Sequence, residues 1–301
     1  MISRRGFLVQ AAASAVAARA AFGKDVAART PMIDAHVHVW ETNPEFPFAP
    51  GARPSPANAT PETLLGLMRA NGVARTVLIQ VIHYKWDNRF LLHTLKKYPG
   101  TFQGVCRVNP EDPAAPDELS RLTEEGCRGV RLSPNGTAEG DWIRGTLMPP
   151  LWRRCAELQV PMVILAPVTR MPDLVPLIEA HPDLEVVIDH MADCPVDRPD
   201  LLKLLLELAR HPRVYVKISD MWVVSKEAYP YPDAQGMVAR LRDAFGAERL
   251  MWDTNWPVSL QQLPYARIVD LYRNPMTVFN GEERAEVLYR TVQRLWPFDV
   301  R

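Results

Sequence analysis

The feature that most narrows the fold is an alternation kept along nearly the whole chain. Short runs rich in Val, Ile and Leu are each followed by a longer helical pattern. Eight such runs read as strands: residues 32–39, 76–82, 103–108, 128–132, 161–166, 185–190, 214–219 and 249–254. Most are apolar throughout, as a strand covered on both faces must be. Thr60-Pro61-Glu62 opens the first helical pattern with a capping residue and a proline in the first turn. Others run over 87–97, 115–125, 150–158, 171–180, 199–210 and 233–245. Strand-then-helix repetition implies a parallel sheet. Eight repeats in roughly 270 residues predict a closed (β/α)8 TIM barrel. Two extra helices are expected between Gln261 and Trp296, the second opened by Gly281-Glu282-Glu283, whose acids suit a helix N-terminus. The alternative is a doubly wound open sheet, but no GxGxxG string follows the first strand, which counts against a dinucleotide-binding version. No linker breaks the pattern, so residues 24–301 read as a single domain. The proline-rich stretch 42–59 reads as a loop over the barrel mouth.

Charge excludes one large class of partners. The 301 residues hold 35 Lys and Arg against 35 Asp and Glu. There is no basic run, so nucleic-acid binding is not expected. The N-terminus reads differently from the rest. Ser3-Arg4-Arg5-Gly6-Phe7-Leu8 resembles a twin-arginine export motif; an Ala-rich apolar run to Ala18 follows, then a cleavage site at Ala18-Arg19-Ala20. That run is too short and weakly apolar to span a membrane. Residues 1–23 are therefore expected to be a removable signal, the export machinery a partner of the precursor, and the mature chain periplasmic. Cargo of this route folds before export and often carries a cofactor, which favours a metal. Cys106, Cys127, Cys155 and Cys194 form no CxxC and no zinc-type spacing; lying in or near apolar segments, they read as buried thiols.

Catalytic groups of such a barrel sit at the C-terminal strand ends. Strand one ends Asp34-Ala35-His36-Val37-His38. Residues two apart on a strand face the same way, about 6–7 Å apart, so both imidazoles can meet one metal ion or one substrate oxyanion. His190 ends strand six beside Asp189 and suits carbonyl polarisation or acid–base work. Arg131 and Lys217 lie in apolar strands and need anionic partners, a substrate carboxylate or an internal acid. His83 follows strand two within reach of the mouth. His93, His181 and His211 read as structural. Asp220, Trp222, Arg107 and Asn109 lie near strand ends and receive no role.

At this point the chain resembles the amidohydrolase superfamily. Asp34-Ala35-His36-Val37-His38 matches its first-strand string. Leu78-Ile79-Gln80 with His83, Gly129-Val130-Arg131-Leu132, Ile188-Asp189-His190, Tyr215-Val216-Lys217-Ile218-Ser219 and Trp252-Asp253-Thr254-Asn255-Trp256-Pro257 continue the likeness. The combination is similar to the branch containing 2-pyrone-4,6-dicarboxylate lactonases and sugar lactonases. The resemblance implies hydrolysis of a cyclic ester, anionic or sugar-derived, by water. Asp253 and His190 would be catalytic; Arg131, Lys217, His83 and Asn255 would bind substrate. His36, His38 and Asp253 would hold one divalent ion, zinc, if a metal is bound; a metal-free route is the other possibility. Two departures stand out. Strand five, Met162-Val163-Ile164-Leu165-Ala166, lacks the family's ligating histidine, and Asn255 stands where an acid is expected. Either Asp253, two positions earlier and of the same parity, replaces that acid, or it is structural. A metal-dependent decarboxylase or amide hydrolase, and a binding protein without chemistry, are the alternative functions.

Overall fold

The computed structural model describes residues 31–133 and 142–298. The expected signal, residues 1–23, and most of the loop 133–147 lie outside the described residues. Eight parallel strands follow in sequence order around one sheet. They are β1 (Ile33–Val37), β2 (Arg75–Ile79), β3 (Phe102–Cys106), β4 (Cys127–Leu132), β5 (Met162–Ile164), β6 (Val186–Ile188), β7 (Val214–Lys217) and β8 (Leu250–Met251). The seam between β8 and β1 is closed by backbone bonds from Ala35 N to Trp252 O (3.3 Å), His38 N to Trp256 O (2.8 Å) and Asn255 N to His36 O (3.0 Å). The chain is thus a (β/α)8 barrel.

Helices follow where the sequence placed them. The first, α1 (Pro61–Asn71), starts at Thr60, whose side chain accepts from Thr63 N. α2 (Arg89–Lys97), α3 (Ala115–Glu124), α4 (Met148–Leu158), α5 (Met171–Ala180) and α6 (Pro199–Leu206) cover the sheet, and a short α7 (Met221–Val224), absent from the sequence reading, precedes α8 (Pro232–Phe245). At the C-terminus come α9 (Tyr265–Arg273) and α10 (Gly281–Ala285), the latter with a capping box on Asn280 and running through a π-turn into α11 (Thr291–Leu295).

Two apolar layers result. Leu78, Val130, Ile164 and Val216 face the helices. Ile33, Ala35, Val77, Val105, Val163, Val187 and Met251 pack inside the barrel, with Trp296 closing its base. Trp296 is fully buried and donates from Nε1 to Arg128 O at the start of β4. All four cysteines are buried and free.

One irregularity positions the site. Asp34 pairs with Thr76 but Val37 with Leu78, so three steps of β1 match two of β2. This bulge changes the alternation. Ile33 and Ala35 pack in the interior layer, while His36 and His38 are the inward groups above it. Asp34 turns to the seam and accepts from Thr254 N (3.0 Å) and Thr254 Oγ1 (2.6 Å). The expected mouth loop is anchored by the Trp40–Ala59 bridge and by a bond from Ala49 N to His83 O.

Candidate active site

The strands deliver their last inward side chains to one point. His36 Nε2 and His38 Nε2 stand 3.1 Å apart, with the rings edge to face. His38 Nδ1 is 2.7 Å from Ile79 O, a carbonyl that can only accept. Nδ1 therefore carries the proton, and His38 Nε2 is a bare lone pair. On the other side of His36, Nδ1 faces Lys217 Nζ at 3.2 Å and Asp189 Oδ1 at 3.4 Å. Asp189 is the hub of the lower layer. Its carboxylate lies 2.9 Å from Lys217 Nζ and 3.0 Å from Arg131 Nε. Burial alone would drive this carboxyl toward the neutral form; the Lys217 and Arg131 cations beside it outweigh that and hold the group well below its ordinary range.

A second line of contacts runs from the third imidazole. His190 stacks obliquely on His36, ring centroids 4.7 Å apart. Its Nδ1 is 2.7 Å from Ser219 Oγ, and Ser219 donates to Asp253 Oδ2 at 2.7 Å. Asn255 Nδ2 donates to Asp220 Oδ2 at 2.7 Å. His190, Asp220 and Asn255 each follow their strand in left-handed backbone, with φ of 50°, 55° and 46°. That conformation costs a residue with a Cβ about 1–2 kcal/mol. Here each such residue turns its side chain into the mouth, where the named bonds hold it.

Burial sets the charges. It lowers His38 and His190 to about 3, and His36, with Lys217 adding to the effect, well below the ordinary imidazole range. All three rings are neutral at neutral pH. The same burial lifts Asp193 to about 6 and Asp220 to about 8.

A cavity of about 480 Å³ opens above this cluster at the C-terminal strand ends. Of the residues singled out by sequence, His38, His83, Arg131, His190 and Asn255 line it. Arg53 and Ser55, from the loop 42–59, line it too. His36, Lys217 and Asp253 are fully buried and are not among its lining residues. Lys217, expected to meet a substrate carboxylate, is instead paired with Asp189. Asp253 sits one layer below Asn255, enclosed behind Ser219, so the position at the mouth is held by the asparagine. The sequence reading left Asp189 and Ser219 without roles. Strand parity could have found both, because Asp189 follows the inward Val187 and Ser219 the inward Lys217.

The donor set fits a divalent ion. His36, Asp189 and His190 each offer a ligand atom within 4.8 Å of the other two. Two zinc–nitrogen bonds at a tetrahedral angle would place their nitrogens about 3.3 Å apart. The His36–His38 pair, at 3.1 Å, is close to that. His38 also gives its second nitrogen to a carbonyl, as ligating histidines do.

Known proteins resemble this arrangement along most of its length. The family model described as Amidohydrolase matches residues 33–298. An L-fucono-1,5-lactonase of Burkholderia ambifaria is 30% identical over 239 residues, 75% of this chain and 80% of that protein. A 2-pyrone-4,6-dicarboxylate hydrolase of Comamonas testosteroni is 31% identical over 242 residues, 75% of this chain and 76% of that protein. A solved Pseudomonas putida structure, provisionally identified as a 2-pyrone-4,6-dicarboxylic acid hydrolase, superposes with a TM-score of 0.78 at 26% identity, covering 91% of this chain and all of that one.

Proposed function

Because this chain belongs to the amidohydrolase family, we propose that it is a hydrolase that opens a lactone at the C-terminal mouth of its barrel. The observation that carries the reading is the convergence of three neutral imidazoles and one guanidinium beneath a single cavity. The relatives named above, acting on a sugar lactone and on a pyrone dicarboxylate, support the same reaction class.

The chemistry follows from which groups reach the cavity. The substrate carbonyl meets His38 and the Arg131 guanidinium, whose charge favours the oxyanion that forms when water adds. Only Nε of Arg131 is engaged by Asp189, so its other nitrogens serve the oxyanion or a substrate carboxylate. His190 lines the cavity and takes the proton of the attacking water; Asp253 does not reach it. A divalent ion, zinc by the donor chemistry, would be held by His36 and His38 and would supply Lewis-acid polarisation of the carbonyl. The substrate is anionic or sugar-derived. Arg131 and the exposed Arg53 suit a carboxylate, while Asp193, Asp220 and Asn255 suit ring hydroxyls.

Acid release from an aldono-1,5-lactone and from a pyrone dicarboxylate, followed at constant pH before and after chelation, tests this. Turnover of either supports the assignment, and turnover of no compound in a broad lactone panel would overturn it. Activity lost on chelation and restored by zinc is the expected result for a metal held at His36 and His38; unchanged activity would leave the histidines to polarise the carbonyl alone.

A further inference from the structure

We propose that Val223 and Val258 form an apolar subsite at the rim of the cavity, and that the lactone taken there carries an alkyl substituent on its ring. The inference rests on the lactone-hydrolase reading and names the substrate class within it.

Exposed aliphatic side chains are few. Among the described residues, Val223, Leu260 and Val258 are the large ones left open, at 57%, 44% and 37%. All three belong to the two loops that follow β7 and β8, and Val223 and Val258 line the cavity. Each of these valines stands three residues beyond a polar group of the wall. Those polar groups, Asp220 and Asn255, are 7% and 5% exposed and bonded to each other at 2.7 Å. From Asp220 the chain enters α7, where Val223 N donates to Asp220 O at 2.8 Å. From Asn255 it enters a single turn, Val258–Gln261, where Ser259 N donates to Asn255 O at 3.1 Å. Two separate turns thus repeat one layout, with a polar side chain deep in the wall and a valine at its outer edge.

Local packing does not ask for this. Met221 and Val224 bury α7 against the core without Val223, and Ser259 is the buried member of the second turn. An exposed valine is cheap to cover, because its branched side chain has few rotamers to lose. A fully hydroxylated sugar ring would gain nothing from two valines, whereas an alkyl group placed on them leaves water. The cavity, about 480 Å³, lies in the range that holds substituted ligands, well beyond a bare six-membered lactone. The lactone ring therefore meets the polar floor, and its alkyl group meets the valines.

The test uses the full chain, a Val223→Ser, Val258→Ser double variant, and a Leu260→Ser variant, whose site is exposed but does not line the cavity. The substrates are 1,5-lactones in a polyhydroxy and a carboxylate series, with hydrogen, methyl, ethyl or butyl at each free ring carbon in turn. In the wild type kcat/KM is expected to rise about 3-fold for each added CH2 at one or more positions, close to the gain from taking a methylene out of water. The double variant is expected to bring that step below about 1.5-fold, and Leu260→Ser to keep it. Because the readout is a ratio between substrates, a general loss of activity does not imitate the result. A flat or falling series in the wild type, or an equal step in the double variant, would overturn the subsite. So would a wild-type dimer that the double variant turns into a monomer in sedimentation, since a second copy would then cover the valines. If no lactone is opened, the lactone-hydrolase reading fails, and calorimetry with the ring-opened hydroxy acids decides the subsite. Affinity that climbs with chain length in the wild type and not in the double variant upholds it; affinity independent of chain length, or no binding, overturns it.

Discussion

Asp189 holds more of the site together than any other residue, because its single carboxylate answers both Lys217 and Arg131. Breaking one partner from a buried ion pair leaves an uncompensated charge. Lys217→Met is therefore expected to destabilise the fold by about 3 kcal/mol in urea denaturation. A loss under about 1 kcal/mol would mean that Arg131 alone balances Asp189. The titrations give a second expectation. His38 and His190, near 3 in the fold against an ordinary 6.5, bind fewer protons folded than unfolded between those values. Their contribution rises with pH there and is flat above. Burial holds Asp34 up at about 7 and Asp220 at about 8, so the folded chain keeps protons that the unfolded chain has lost. Their contribution falls as pH rises, until each titrates. Above the histidine window only the acids remain, and stability should drop between about pH 6.5 and 8.5. Asp220→Asn is expected to flatten that drop; thermal melts at the two pH values that decline equally in both proteins would refute it. At this scale the histidines were legible, because a His-x-His strand end is rare without a shared target. Strand parity could place Asp189 and Ser219 on the inward side, but a buried acid or hydroxyl declares its role only through its neighbours.

At the scale of elements, all eight strands and the capped start of α1 could be read from apolar runs and the Thr60-Pro61-Glu62 string. The bulge in β1 could not, because it arises from the mismatch with β2 rather than from either strand alone. The left-handed turns at His190, Asp220 and Asn255 were equally hidden, since none is glycine. Glycine does speak at one position. A Cβ on Gly129 would lie 3.2 Å from Pro161 O and 3.2 Å from Val105 Cγ2, with the Trp296 indole at 3.4 Å. Backbone on one side and the barrel base on the other leave little room to relax. Gly129→Ala is expected to destabilise by about 1–3 kcal/mol. A chemical denaturation midpoint equal to that of the wild type would show that β4 and β5 can part without strain.

For the whole molecule, the closed sheet explains why ionisable side chains can be buried together. The interior is packed below by apolar side chains and Trp296, and the charged layer lies above them, beneath the mouth. Lys217 Nζ lies 5.8 Å from the Trp296 ring centroid, which joins the base of the barrel to the underside of the site. The proposed export route belongs to this scale as well. The Arg4-Arg5 pair predicts that the Arg4→Lys, Arg5→Lys double variant stays in the cytoplasm with its N-terminal segment uncleaved. Cell fractionation that finds the variant processed in the periplasm would dismiss the twin-arginine route.

By itself the sequence determined the barrel, the end of it that carries chemistry, the strands that contribute, and the lactone-hydrolase family. Those depend on periodicity and on short strings, which are local. The tertiary structure alone decided which charges meet substrate and which meet each other. Lys217 and Arg131 look alike in the sequence, each a cation in an apolar strand. One ends buried on Asp189 and His36, while the other reaches the cavity. The difference comes from how far along each strand the residue stands and from what the neighbouring strands place beside it, which no single strand encodes.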